Sequence, residues 1–285
     1  MGLFRNWAKM VRSPGRTVRP PPEPNQPRKP NFFIIGAAKS GTTSLWQYLR
    51  QHPDIFMPED IGRKEPSFYC DTYGVDSYEV YLSLFKDAGS RKRVGEASTP
   101  YLSSPESAEK ILHAVPDAKI IMLLRNPVDR AYSLYKWMFQ YGYETIPTFE
   151  EALEAEVSAR KDCQDFITGK FYKGSFCYYW DFLYFSSGLY YQQVKRYYKL
   201  FPKDQLAVII FEEFAKNTLQ SVHGLYAFLG VDANFDPEIK IHNQSDSSYK
   251  PLAAHTRLDL ETKYLEDVKN LSILLHRDLS QIWFG

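Results

Sequence analysis

The stretch from Phe32 to Arg50 constrains the fold of this chain more than any other. Phe32-Phe33-Ile34-Ile35 is a short apolar run ending at Gly36, the pattern of a strand buried on both faces. The turn Gly36-Ala37-Ala38-Lys39-Ser40-Gly41-Thr42-Thr43-Ser44 follows it. Ser44–Arg50 then carries its apolar residues at helical spacing. Similar apolar runs recur at Arg93–Gly95, Lys119–Leu124 and Leu206–Phe211. Between them lie helical patterns near 76–88, 105–114, 128–141, 148–159, 189–200, 213–229 and 257–275. Strands alternating with helices predict an α/β fold, with a mostly parallel central sheet flanked by helices on both faces.

The remaining composition narrows the class. A length of 285 residues suits one large α/β domain or two small ones. Hydrophobic residues are 44% and charged residues 24%, which excludes wholesale disorder, collagen and coiled coil. Lys and Arg number 35 against 34 Asp and Glu, a net charge of +1, so a nucleic-acid partner is not expected. The charge is uneven. Residues 1–30 hold seven prolines and seven basic residues against the single acid Glu23, whereas 31–285 is net acidic. The expected organisation is a disordered, basic, Pro-rich arm over 1–30 and one catalytic domain over 31–285. The arm reads as a solvated leader, with contact to an anionic membrane or polymer as the alternative.

Cys70, Cys163 and Cys177 show no CxxC spacing and read as reduced buried thiols. The six histidines show no ligand spacing, so no metal is expected. No apolar stretch approaches the ~20 residues of a transmembrane span. The N-terminus lacks an apolar signal core, and Gly2 is not followed by Ser or Thr at position 6. A cytoplasmic location is the expectation; the sequence does not set the oligomeric state.

Two segments carry chemistry. In the first loop, small residues let backbone N–H groups approach an anion, and the helix start adds partial positive charge. Lys39 supplies a cation, and Ser40, Thr42, Thr43 and Ser44 supply hydroxyls around Gly41. This is a phosphate cradle by content; an ordinary glycine-rich turn is the alternative. It is not a Walker A loop, in which lysine follows the second glycine. In the second segment, Arg125 stands at the end of the Ile120–Leu124 run, and Asn126-Pro127 opens a helix carrying Ser133. Ligands of open α/β sheets bind at the carboxyl edge of the strands, so an Arg fork beside a hydroxyl fits a second phosphate clamp. A salt bridge from Arg125 to Asp129 is the alternative.

Together, G-A-A-K-S-G-T-T-S-L and L-R-N-P-V-D-R-A-Y-S-L-Y resemble the sulfotransferases that use 3′-phosphoadenosine-5′-phosphosulfate (PAPS). Gln51-His52-Pro53-Asp54, Lys64-Glu65-Pro66, Phe211-Glu212-Glu213-Phe214 and the ending L-L-H-R-D-L-S-Q-I-W extend the resemblance over about 31–285. It implies a P-loop-like three-layer fold in which the loop from Lys39 through Ser40, Gly41, Thr42, Thr43 and Ser44 holds the 5′-phosphosulfate. Arg125 and Ser133 would hold the 3′-phosphate, with Lys250 as a third contact and Arg257 in reserve. The product would be adenosine 3′,5′-bisphosphate, with no metal.

The branch resembled is the heparan sulfate and glycan group, through Val94-Gly95-Glu96-Ala97-Ser98-Thr99-Pro100-Tyr101. This stretch is similar to an E-K-S/T-x-x-Y segment whose Glu is taken as the base. Glu96 is therefore the expected catalytic base, and Lys39 the residue that neutralises charge on the transferring group. Ala97 stands where lysine is common, and Ser67 where related bacterial sequences often have histidine. The expected acceptor is a hydroxyl or amine of a carbohydrate. A nucleotide-dependent kinase or NTPase, or a non-catalytic nucleotide-binding protein, remains the alternative. Fourteen aromatic residues fall between Phe171 and Phe201, and they read equally as an acceptor wall or as a core layer.

Overall fold

The computed structural model describes residues 28–59, 64–71, 74–75, 77–162, 182–240 and 251–285, with side chains omitted for 157–162. Most of the predicted arm, Cys163, Cys177, the aromatic stretch 171–181 and Lys250 lie outside these residues.

Five strands form one parallel sheet: β1 (Phe32–Gly36), β2 (Ile55–Phe56), β3 (Arg93–Ala97), β4 (Lys119–Leu124) and β5 (Leu206–Ile210). Their spatial order is β2-β3-β1-β4-β5. Both β1 and β4 run through the middle, and their alternating side chains feed two cores. Phe33, Ile35, Ile120, Met122 and Leu124 face one core, while Phe32, Ile34, Ile121 and Leu123 face the other. A sheet covered on both faces needs strands apolar throughout, which explains the uninterrupted runs in the sequence.

The helices are α1 (Thr42–Leu49), α2 (Tyr78–Ser83), α3 (Pro100–Ser103), α4 (Ser107–Ala114), α5 (Pro127–Gln140), α6 (Phe149–Asp162), α7 (Tyr190–Leu200), α8 (Phe211–Lys216), α9 (Thr218–Leu229), α10 (Ala254–Leu275) and α11 (Leu279–Phe284). Leu45, Trp46 and Leu49 of α1 pack with Val222, Leu225 and Leu229 of α9 on one face. On the other face, α5, α7 and α10 contribute Val128, Tyr190, Val194, Tyr197, Leu260, Tyr264 and Val268.

The predicted helix over 213–229 is two helices, because Asn217 leaves helical geometry at φ −132°, ψ 53°. The Thr218 hydroxyl donates back to the Phe214 carbonyl across that break. The predicted strand Arg93–Gly95 runs on to Ala97, which carries Glu96 into the sheet in register with Phe33 of β1. Two-residue β2 and the short α3 and α11 are too brief to show a period in sequence.

The order of the strands sets the site. The chain leaves β1 toward β2 on one side, and later crosses to β4 and β5 on the other. The carboxyl ends of β1 and β4 therefore flank a topological switch point, where open α/β sheets bind ligands. The β1 turn bears Lys39, and β4 ends at Arg125.

Candidate active site

After β1 the chain turns sharply to begin α1. Gly41 caps this helix at φ +88°, a left-handed conformation, and a Cβ there would lie 3.0 Å from the Phe211 ring. Glycine is needed here for both reasons. The first helical bond of α1 runs from the Leu45 N–H to the Gly41 carbonyl at 3.1 Å. The N–H groups of Gly41, Thr42, Thr43 and Ser44 precede it and have no intrahelical acceptor. No side chain caps this end and no acid lies in its first turn. The start of α1 is thus a field of aligned donors with partial positive charge. Ser40 is buried, with its side chain beside the Tyr190 hydroxyl. Thr42 is buried, while Thr43 and Ser44 are partly exposed.

Lys39 has φ 65° and its Nζ lies over the Trp137 ring, 5.2 Å from the centroid. Burial, followed by the nearby charges of Arg125, Lys64 and Lys136, lowers its pKa to about 8, against an upward pull from Glu65. Arg125 donates from Nη1 to the Lys39 carbonyl at 3.0 Å and lies 4.9 Å over the Phe211 ring. The two cations are therefore fixed to one another across the switch point. Asp129 does not pair with Arg125, as the alternative reading allowed; it accepts from Arg257 of α10, which also meets Glu261. The α5 helix that follows is firmly capped: Asn126 accepts from the Val128 and Asp129 N–H groups, with Pro127 at the first position. Ser133 is partly exposed one turn beyond Asp129, so Arg257 is tied to the same helix.

Glu96 is placed differently from expectation. It is 1% exposed, and three hydroxyls donate to it. Tyr81 donates to Oε2, while Tyr101 and Ser98 donate to Oε1 at 2.6 and 2.7 Å. Burial raises its pKa to about 7, although these donors pull the other way. Oε1 has both acceptor sites filled, and the carboxyl is shut off from solvent.

Glu65 is a second carboxylate near this network. It sits in an irregular loop at φ +70°, anchored by its own N–H to the Ala97 carbonyl at 2.8 Å. Its side chain is 31% exposed and within electrostatic reach of Lys39. Oε2 accepts from the Thr99 N–H and hydroxyl at 2.9 and 2.7 Å, and Oε1 from Lys64 at 2.5 Å. Burial alone would raise its pKa, but Lys64 and Thr99 outweigh that and hold it below the ordinary glutamate value. Sequence reasoning met Lys64-Glu65-Pro66 only as a supporting motif. The contact that gives it meaning is a long-range one to the end of β3.

The aromatic segment also resolves in part. Phe182, Tyr184, Tyr190, Tyr197 and Phe201 are buried in the main core, so they are a core layer. Among the described residues, no group of three or more His, Cys, Asp and Glu side chains is placed to hold a metal. No described helix is long and apolar enough to cross a membrane.

Comparison with known proteins agrees with this geometry. A family described as "Sulfotransferase domain" matches residues 29–278. A solved sulfotransferase from Alicyclobacillus acidocaldarius is 36% identical, with a TM-score of 0.75 over 90% of this chain and 100% of that one. The membrane-associated sulfotransferase kil1 of Dictyostelium discoideum is 35% identical over 114 residues, 39% of this chain and 24% of that protein. The bifunctional heparan sulfate N-deacetylase/N-sulfotransferase 4 of Mus musculus is 25% identical over 282 residues, 87% of this chain and 30% of that protein. The chain spans less than a third of the length of these two curated relatives.

Proposed function

The chain belongs to the sulfotransferase domain family, and from that premise we propose that it transfers a sulfuryl group from PAPS to a hydroxyl or amine of a glycan. The observation that carries this reading is the acid-free, uncapped start of α1, framed by Lys39 and by the Arg125 fork tied to it. Such a site suits a multiply charged phosphate ester. The relative acting on heparan sulfate supports a glycan acceptor.

PAPS supplies the activated sulfuryl group. The N–H groups of Gly41–Ser44 would hold its 5′-phosphosulfate, with Lys39 countering the charge that builds on the leaving phosphate. Arg125 and Ser133 would take the 3′-phosphate. Arg257 is the favoured further contact, since Asp129 holds it beside α5. Glu65 would accept the proton released by the acceptor as the new S–O or S–N bond forms. For a general base, geometry is decided before pKa. The pKa of Glu96 suits proton transfer better, but the residue is 1% exposed; that of Glu65 is lower, but its side chain is 31% exposed and within electrostatic reach of Lys39. Glu96 then serves as an anchor. Its partner Ser98 accepts from the Ser67 N–H at 3.0 Å and so fixes the loop that carries Glu65.

Thermal-shift titration with adenosine 3′,5′-bisphosphate and with ATP–Mg²⁺ tests this reading, followed by transfer of labelled sulfate from PAPS to glycan acceptors. Stabilisation by the bisphosphate and label in the glycan are expected. Stabilisation by ATP–Mg²⁺ alone would favour a kinase or NTPase instead.

A further inference from the structure

The α5 helix leads from the nucleotide edge outward, and its far end carries three solvent-facing aromatic rings. Trp137 is 36% exposed, Tyr141 59% and Tyr143 44%. Gly142, at φ +72°, reverses the chain after α5, and the Tyr143 N–H returns to the Met138 carbonyl at 2.9 Å. The reversal brings Tyr143 back over the helix end. Ring centroids lie 5.1 Å apart for Trp137–Tyr141, 5.8 Å for Trp137–Tyr143 and 6.5 Å for Tyr141–Tyr143. A contiguous exposed aromatic surface is costly to leave in water, and such patches mark interaction sites. This one is continuous with the site: the inner ring, Trp137, is the ring beneath Lys39 Nζ.

We propose that Trp137, Tyr141 and Tyr143 form a platform on which an acidic sugar ring of the acceptor lies, an inference that rests on the sulfotransferase reading above. A pyranose presents C–H groups on its face and hydroxyls around its rim. The three π faces match the former, and the two phenolic hydroxyls match the latter. The rings are tilted by 24° to 45° to one another, which makes a shallow, faceted surface. A puckered ring fits such a surface better than a flat one. Charge selects among sugars. Lys39 stands at the inner margin, with Lys136 and Lys64 within its electrostatic reach. The nearby Glu144 is buried, and its carboxylate is engaged by the Thr145 and Ile146 N–H groups and the Tyr184 hydroxyl. A uronic acid-containing chain would therefore lie across the rings with its reacting amine or hydroxyl toward Lys39.

The test is calorimetric titration of the full chain, loaded with adenosine 3′,5′-bisphosphate, with oligosaccharides of alternating glucuronic acid and glucosamine. 4-Nitrophenol serves as the flat aromatic comparison. Wild type should bind the oligosaccharide. A Tyr141→Ala, Tyr143→Ala double variant should bind it about tenfold more weakly, with bisphosphate affinity unchanged. Both positions are exposed, and an unchanged melting temperature checks the fold. Unchanged oligosaccharide affinity in the double variant would overturn the platform. So would a wild type that binds nitrophenol but no oligosaccharide, or one that binds neither. If the chain does not bind the bisphosphate, the nucleotide reading fails instead, and the same titration on unloaded protein still decides the platform.

Discussion

The Tyr101 phenol donates a 2.6 Å hydrogen bond to Glu96 Oε1 in the buried floor beneath the site. The same phenol oxygen accepts from the Tyr69 N–H at 3.1 Å. Glu96 is thus the hub of a network that ties α2, the end of β3 and α3 to the loop bearing Glu65. Removing one spoke should be costly. Tyr101→Phe leaves a buried carboxyl short of a donor and a buried N–H short of an acceptor, at a cost of about 2–3 kcal/mol. Urea unfolding near neutral pH measures this, and a loss within experimental error would remove Glu96 from its anchoring role.

The raised pKa of Glu96 makes stability depend on pH. In the native state its carboxyl keeps a proton up to about pH 7, and in the unfolded chain only to about its ordinary value of 4.5. Between these values the native state binds more protons, so stability falls as pH rises. The contribution is fully present below about pH 4.5 and lost above about pH 7, and amounts to about 3 kcal/mol at most. Melting temperatures of wild type and Glu96→Gln across this range should converge or diverge accordingly, because the amide cannot titrate. Parallel curves would contradict the assignment.

Much of the candidate site was legible in the sequence, and the reason is locality. Lys39, Ser40–Ser44, Arg125 and Ser133 belong to strand–turn–helix units, in which a buried run, a glycine and a cap place side chains at one sheet edge within a few residues. Glu65 was not legible in this way. It lies in a loop with left-handed backbone at Glu65 and Ser67, and only the pairing of its N–H with Ala97, 32 positions later, brings it to the site. Glu96 shows the complementary limit. Its motif spacing marks the end of a strand, but whether such a carboxyl faces solvent or sinks is decided by Tyr81 and Tyr101, which arrive from other elements. The aromatic richness behaved likewise. Its densest described part packs inside, whereas Trp137, Phe139, Tyr141 and Tyr143 at the end of α5 stay exposed, a difference that composition alone does not show.

Lys39 offers a second pH-dependent readout. With its pKa lowered to about 8, Lys39 of the free site is largely uncharged at pH 9, while Arg125 keeps its charge. An anionic ligand beside the amine favours the ammonium form, so binding must draw in a proton. Calorimetry of adenosine 3′,5′-bisphosphate binding at pH 9, in buffers of different ionisation enthalpy, should show an uptake approaching one proton; near pH 6.5 Lys39 is already charged, and the phosphates, with second pKa values of about 6, release protons instead. Lys39→Arg stays charged throughout and should abolish the uptake. An equal uptake in that variant would assign the proton elsewhere.

The two glutamates separate most cleanly in a paired experiment. If Glu65 takes the acceptor's proton, Glu65→Gln removes the base and leaves the α1 donors, Lys39 and Arg125 untouched. Sulfuryl transfer should then fall by about 10²–10⁴-fold in kcat, while bisphosphate affinity stays near that of wild type. Glu96→Gln should act only through the loop. The amide still accepts one or two of the three hydroxyl bonds, so Glu65 keeps most of its position and the loss in kcat should be within about tenfold. Glu65→Asp, with the carboxylate retained but withdrawn by one methylene, should recover part of the activity lost in Glu65→Gln. The reverse ranking, with Glu96→Gln inactive and Glu65→Gln near wild type, would return the proton to the buried carboxyl. It would also require the Tyr81–Glu96–Tyr101 cluster to open during turnover.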